Sequence, residues 1–130
     1  MIYEKLYERD LCDHKNLDRV HHLEGIRLLN SGQFFQAHEV LEDVWREAPV
    51  AEKKFWQGLV QIAVALHHHS TGNLVGAKSV MARAARNLGP CSSEWQGMKI
   101  GQLKTLLEKW QEAVHKREEP NVPTITFVDC

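Results

Sequence analysis

Apolar residues recur every three to four positions through most of this chain, and proline and glycine cut the runs into segments of helix length. Leu17, Val20, Leu23 and Ile26 predict a first helix from about Asn16, closed by the turn chemistry of Asn30-Ser31-Gly32. A second runs from about Gln33 to Glu47 and stops before Pro49. A third, from about Glu52 to Ser70, ends at Thr71-Gly72-Asn73, and a fourth, Leu74 to Leu88, ends at Gly89-Pro90. A fifth covers roughly Met98 to Lys116, with an earlier start at Ser92–Ser93 as its alternative. The end, PNVPTITFVDC, carries two prolines before a β-prone ITFV and reads as an extended tail on the bundle. Residues 1–13 mix aromatic and charged positions and read as a short helical arm or a docked segment. No other stretch suggests a strand. Short connections make successive helices antiparallel neighbours. The expectation is an all-α, single-domain antiparallel bundle of about five helices spanning residues 1–130, with an extended C-terminal tail.

Two of these helices break the apolar pattern in an informative way. Along the second, Phe34, Ala37, Leu41, Val44 and Trp45 share one broad arc, with His38 inside it and Glu42 at its edge. His38 and Glu42 are thus an i, i+4 pair on the core boundary. Glu39, Asp43 and Arg46 point outward. The third helix is apolar nearly all round, which suits a central position or a subunit interface and leaves room for a homo-oligomer. Gln57, Gln61 and His68 nevertheless fall within about 40° of one another on it. Gly58 and Ala65 flank that stripe, so another helix can come close. His67 and His69 diverge by about 100° either side of His68, so the HHH run cannot chelate as one unit while helical. If the second helix faces this stripe, His38 and Glu42 meet Gln57, Gln61 and His68.

A polar stripe on a core wall is costly unless its members satisfy one another, bind something or reach water. One reading is packing alone: core His and Gln side chains that hydrogen-bond and fix register, in a structural or protein-interaction module. The other is a polar ligand or active-site pocket between the second and third helices. There His38, Glu42 and His68 are the catalytic candidates, and Gln57, Gln61 and Trp45 the ligand-binding ones. A metal finds only weak support in His38, Glu42 and His68, and none is predicted. HEVLE has Glu where HExxH has its second His, no Glu-x-x-His pairs occur, and glutamine is a poor ligand. No nucleophile stands out, and Gly72-Asn73 before Gly76 lacks the strand and lysine of a phosphate loop. A small-molecule ligand fits the pocket reading, whereas no cofactor, substrate or reaction can be named.

Charge narrows the partners. Sixteen basic residues nearly cancel 17 acidic ones, for a formal net charge of -1, so there is no case for nucleic acid or a membrane surface. The longest low-charge run, Phe55 to Leu66, is too short to span a bilayer. The N-terminal residues are charged throughout, unlike a secretory signal. Cys12, Cys91 and Cys130 are widely spaced, without a CxxC pair. A cytoplasmic setting is expected.

Three stretches together carry a resemblance: LLNSGQFFQAHEVLEDVWR at 28–46, FWQGLVQIAVALHHHSTGN at 55–73 and GAKSVMARAARNLG at 76–89. They resemble the family catalogued as domain of unknown function 309, small all-helical and mostly bacterial proteins. The combination of AHEVLE, a following Trp and QGLVQIA is far more specific than any piece. On that resemblance Gly32, Phe35, Ala37, His38, Glu39, Leu41, Glu42 and Trp45 occupy signature positions. So do Gln57, Gly58, Gln61, Ala63 and His68 on the third helix. The resemblance implies a helical bundle and no established activity.

Overall fold

The computed structural model describes residues 14–128. The arm or docked segment expected over residues 1–13, with Cys12, lies outside them, as do the last two positions. Five helices follow in order: α1 (His14–Asn30), α2 (Phe34–Glu47), α3 (Lys53–Ser70), α4 (Leu74–Leu88) and α5 (Ile100–His115). A 3-10 turn, Val50–Glu52, bridges α2 and α3, and two short strands, β1 (Glu94–Trp95) and β2 (Met98–Lys99), precede α5.

The stops act as the sequence implies. Gly32 and Gly72 take φ of 85° and 86°, a conformation that favours glycine. At the first, Gln33 N–H reaches Leu28 O at 3.0 Å and Gly32 N–H reaches Leu29 O at 3.2 Å. At the second, Asn73 N–H reaches His68 O at 2.9 Å and Gly72 N–H reaches His69 O at 3.1 Å. Both are Schellman closures. Asn73 then caps α4 by accepting Gly76 N–H at 3.0 Å. Pro49 ends α2, and Lys53 Nζ satisfies the freed carbonyls of Trp45 and Arg46 at 2.7 Å each.

Successive helices pack on one another, and the contact of α3 with α4 is the most extensive. α3 is central: Phe55, Trp56, Leu59, Ile62, Ala63 and Leu66 are all buried. Leu41 from α2, Met81 from α4 and Leu107 and Trp110 from α5 complete the core around it.

Residues 94–99 correct one expectation. α5 begins at Ile100 rather than at Met98 or Ser92, because β1 and β2 form an antiparallel hairpin pairing Glu94 with Lys99 and Trp95 with Met98. Its turn places Gln96 at φ 49° and Gly97 at φ 80°, the two positive values of a type I′ turn. The hairpin receives the tail: Lys99 N–H donates to Thr126 O at 2.8 Å and Val128 N–H to Gly97 O at 2.7 Å. Trp95 stacks on Phe55 with ring centroids 4.0 Å apart, fixing the hairpin to α3.

Candidate functional site

The pair on α2 forms as its spacing requires. His38 Nε2 lies 2.9 Å from Glu42 Oε2, and Arg46 Nη2 donates to Glu42 Oε1 at 2.6 Å. Glu42 therefore bridges two neighbours one turn away on either side. His38 and Glu42 are half-buried. Their reach across to α3 is through Phe35, which is 54% exposed. Its ring centroid is 6.0 Å from that of His38 and 5.7 Å from that of His67.

The stripe on α3 faces elsewhere. Gln61 Oε1 accepts Asn87 Nδ2 at 2.7 Å, so its partner is on α4. Gly58 explains the choice: a Cβ there would sit 3.0 Å from Leu88, so the backbones of α3 and α4 approach at this point. Gln57 is half-buried. His68 Nδ1 is 3.4 Å from the Asn73 amide, at the α3–α4 turn. The three histidines diverge as their angles demand, His67 to Phe35, His68 to Asn73 and His69 to Trp110 at 5.6 Å. Trp45 serves the α2–α3 junction, with Lys53 Nζ 5.6 Å from its ring centroid.

Hence the two stripes do not meet. Among the described residues no side-chain hydrogen bond joins His38 or Glu42 to Gln57, Gln61 or His68. Nor is any polar or charged side chain fully buried there; the expected buried cluster is a set of half-buried pairs that keep access to water. Among the described residues no three His, Cys, Asp or Glu side chains are placed to hold one metal ion. Cys91 is a free, half-buried thiol. Burial pushes its pKa up, and the nearby Lys104 charge opposes that only in part.

The surface hollows are lined by other residues, although Arg46, bonded to Glu42, borders the larger one. The larger, about 1130 Å³, runs between α1, the end of α2 and the hairpin, against His22, Ile26, Val44, Glu47, Met98 and Phe127. A second, of about 420 Å³, adjoins it and shares Leu23, Ile26 and Phe127. None of His38, Glu42, Trp45, Gln57, Gln61 or His68 lines either. Sequence reasoning missed Asn87 and this hollow. Small residues on the buried face of α4, Ala77 and Ala84, were the available hint that α3 would be closely approached from that side.

Fold and site together define a small helical bundle in which one polar pair, Gln61–Asn87, ties neighbouring helices and the others are local to one helix or turn. Residues 22–80 match the family model DUF309, a domain of unknown function, and this part of the chain is a DUF309 domain. The chain is similar to an uncharacterized protein of Aquifex aeolicus (strain VF5), 32% identical over 99 residues that make up 75% of this chain and 29% of the relative. It is also similar to the uncharacterized protein YpuF of Bacillus subtilis (strain 168), 38% identical over 84 residues, 62% of this chain and 48% of YpuF. The chain thus spans less than half the length of either relative. No helix among the described residues is long and apolar enough to cross a membrane.

Proposed function

We propose that this chain is a helical interaction module in which the His/Glu/Gln pairs fix helix packing and recognition belongs to the surface hollows. The observation that carries this reading is the Gln61–Asn87 bond at 2.7 Å beside the Gly58–Leu88 approach. An amide pair at a close helix crossing penalises every register but one, because a slip leaves half-buried polar groups without partners. A cytoplasmic setting belongs to the same reading and rests on the three widely spaced cysteines.

A second reading keeps a polar ligand site using His38, Glu42, Trp45, Gln57, Gln61 and His68. The exposed Phe35 ring beside His38 favours it, since a large apolar face next to ionisable groups suits a small-molecule ligand.

Denaturant unfolding of Gln61→Leu separates the two. If Gln61 fixes packing, Asn87 loses its acceptor and stability falls by about 1 kcal/mol, and by up to about 3 if water cannot reach the amide. If the polar set serves a ligand at the expense of folding, the midpoint stays level or rises. A rise would overturn the module reading.

A further inference from the structure

We propose that the two joined hollows along α1 form a docking groove for a basic amphipathic helix of a partner protein. This rests on the interaction-module reading and names the partner's chemistry.

Shape argues for a helix. The two hollows, about 1130 and 420 Å³, follow α1 from His21 to Ser31 and merge at Leu23, Ile26 and Phe127. Ten residues of α1 rise about 15 Å, so about three turns of a second helix can lie alongside. Drug-sized pockets of roughly 300–1000 Å³ close around their ligand, whereas this is an elongated trough. Its floor is apolar, with Leu23 and Phe127 left 41% and 37% exposed beside the buried Ile26, Val44 and Met98. Such a floor takes the apolar stripe of an amphipathic helix.

Charge sets the partner's sign. Asp43, Glu47 and Glu52 line the larger hollow; Arg27, paired with Glu24 at 2.6 Å, lines the smaller one, and Arg46 is the one Lys or Arg among the described residues lining the larger. Its guanidinium is held by Glu42 at 2.6 Å and Asp43 at 3.4 Å. Glu47 is the last residue of α2, where the helix dipole already gathers negative charge. Folding gains nothing from a carboxylate there, and a cationic partner does. The same rim repels nucleic acid and anionic lipid. A polyamine would meet the rim and leave the apolar floor uncovered.

The test uses the full chain, labelled with ¹⁵N. The probe is a synthetic helix of about 18 residues with Leu on one face and Lys on the other. Its control carries Glu for every Lys. The Lys peptide should bind saturably and shift the amides of Leu23, Val44, Glu47 and Gly97, while the Glu peptide should not. Asp43→Lys with Glu47→Lys should weaken binding about tenfold. The thermal midpoint of that variant should stay close to the wild-type value, because Lys near a helix C-terminus offsets the loss of the exposed Asp43–Arg46 pair. Glu108→Lys with Glu119→Lys, the same charge change outside the groove, should leave affinity within about twofold. Any of four results overturns the proposal: no saturable binding, shifts confined to another face, equal weakening by both double variants, or binding seen only after residues 1–11 are removed. The last would assign the groove to the chain's own N-terminal segment. If the proposal fails while Gln61→Leu still lowers stability, the packing reading stands and only the partner is lost.

Discussion

Asn30 clasps the backbone of Ile125 at two points. Its Nδ2 donates to Ile125 O at 2.9 Å, and its Oδ1 accepts Ile125 N–H at 2.8 Å. The last residue of α1 thereby imitates one rung of a β-ladder for a tail 95 positions further along the chain. Ile125 is 3% exposed, so the clasp fixes an apolar side chain in the core as well as two backbone groups. The tail passes on to β2 and Phe127, and Phe127 forms a wall of both hollows. A side chain at one helix end therefore sets the shape of the groove.

Replacing Asn30 tests that dependence. Asn30→Asp keeps an acceptor for Ile125 N–H but sets a carboxylate oxygen against Ile125 O, at a helix C-terminus that disfavours negative charge. Stability should fall by about 1–3 kcal/mol, the range for a buried group left unpaired. Amide hydrogen exchange at Ile125 and Val128 should accelerate more than at Leu59 in the core. Unchanged protection at Ile125 would show that burial alone holds the tail.

Local physics was legible in the sequence, and long-range choice was not. Gly32 and Gly72 by positive φ, and Pro49 and Pro90 by their rings, end helices through their own backbone preferences, so these helix ends followed from the local sequence. The His38–Glu42 pair was equally legible, because i, i+4 spacing on a helix fixes it without any tertiary contact. The facing of Gln61 depends instead on which helix comes close to Gly58. Both α2 and α4 pack on α3, and only the shape of α4 around Leu88 decides between them. The hairpin escaped for a different reason. Asn-Gly is the usual signal for two successive positive φ values, and here Gln96-Gly97 fills the turn, held by Trp95 on Phe55 and by the tail. Asn30 looked like turn chemistry, yet its side chain serves a residue 95 positions away.

Cys91 should be a slow nucleophile. Its burial favours the neutral thiol over the thiolate, and Lys104, whose Nζ donates to Cys91 O at 2.6 Å, offsets this only partly. With its folded pKa raised, the native state holds the proton longer than the unfolded chain does. Stability therefore declines as pH rises past the ordinary thiol value of about 8.5. Iodoacetamide trapping from pH 7 to 10 should give a midpoint for Cys91 above that of the same site in urea. Lys104→Met should raise it further. A native midpoint at or below the unfolded one would refute this account.

Gly25 marks where α1 comes closest to α2. A Cβ at that position would lie 2.6 Å from Leu41 Cδ2 and 2.9 Å from Leu41 Cγ, and Leu41 is fully buried. Two effects compete in Gly25→Ala. Helix propensity favours alanine by about 0.8–1.0 kcal/mol, while overpacking a filled core costs about 1–3 kcal/mol. Leu41 is fully buried, so any shift it makes presses on its core neighbours; the clash should win and stability should fall by about 1 kcal/mol. Leu41→Ala alone should cost about 2–5 kcal/mol through its cavity. In that background the added methyl enters vacated space, and Gly25→Ala should become stabilising by up to about 1 kcal/mol. Urea midpoints for the wild type, both single variants and the double variant give the coupling directly. Additive effects would mean that α1 and α2 do not meet at Gly25 and Leu41 as described, and the α1 wall of the groove would then need to be redrawn.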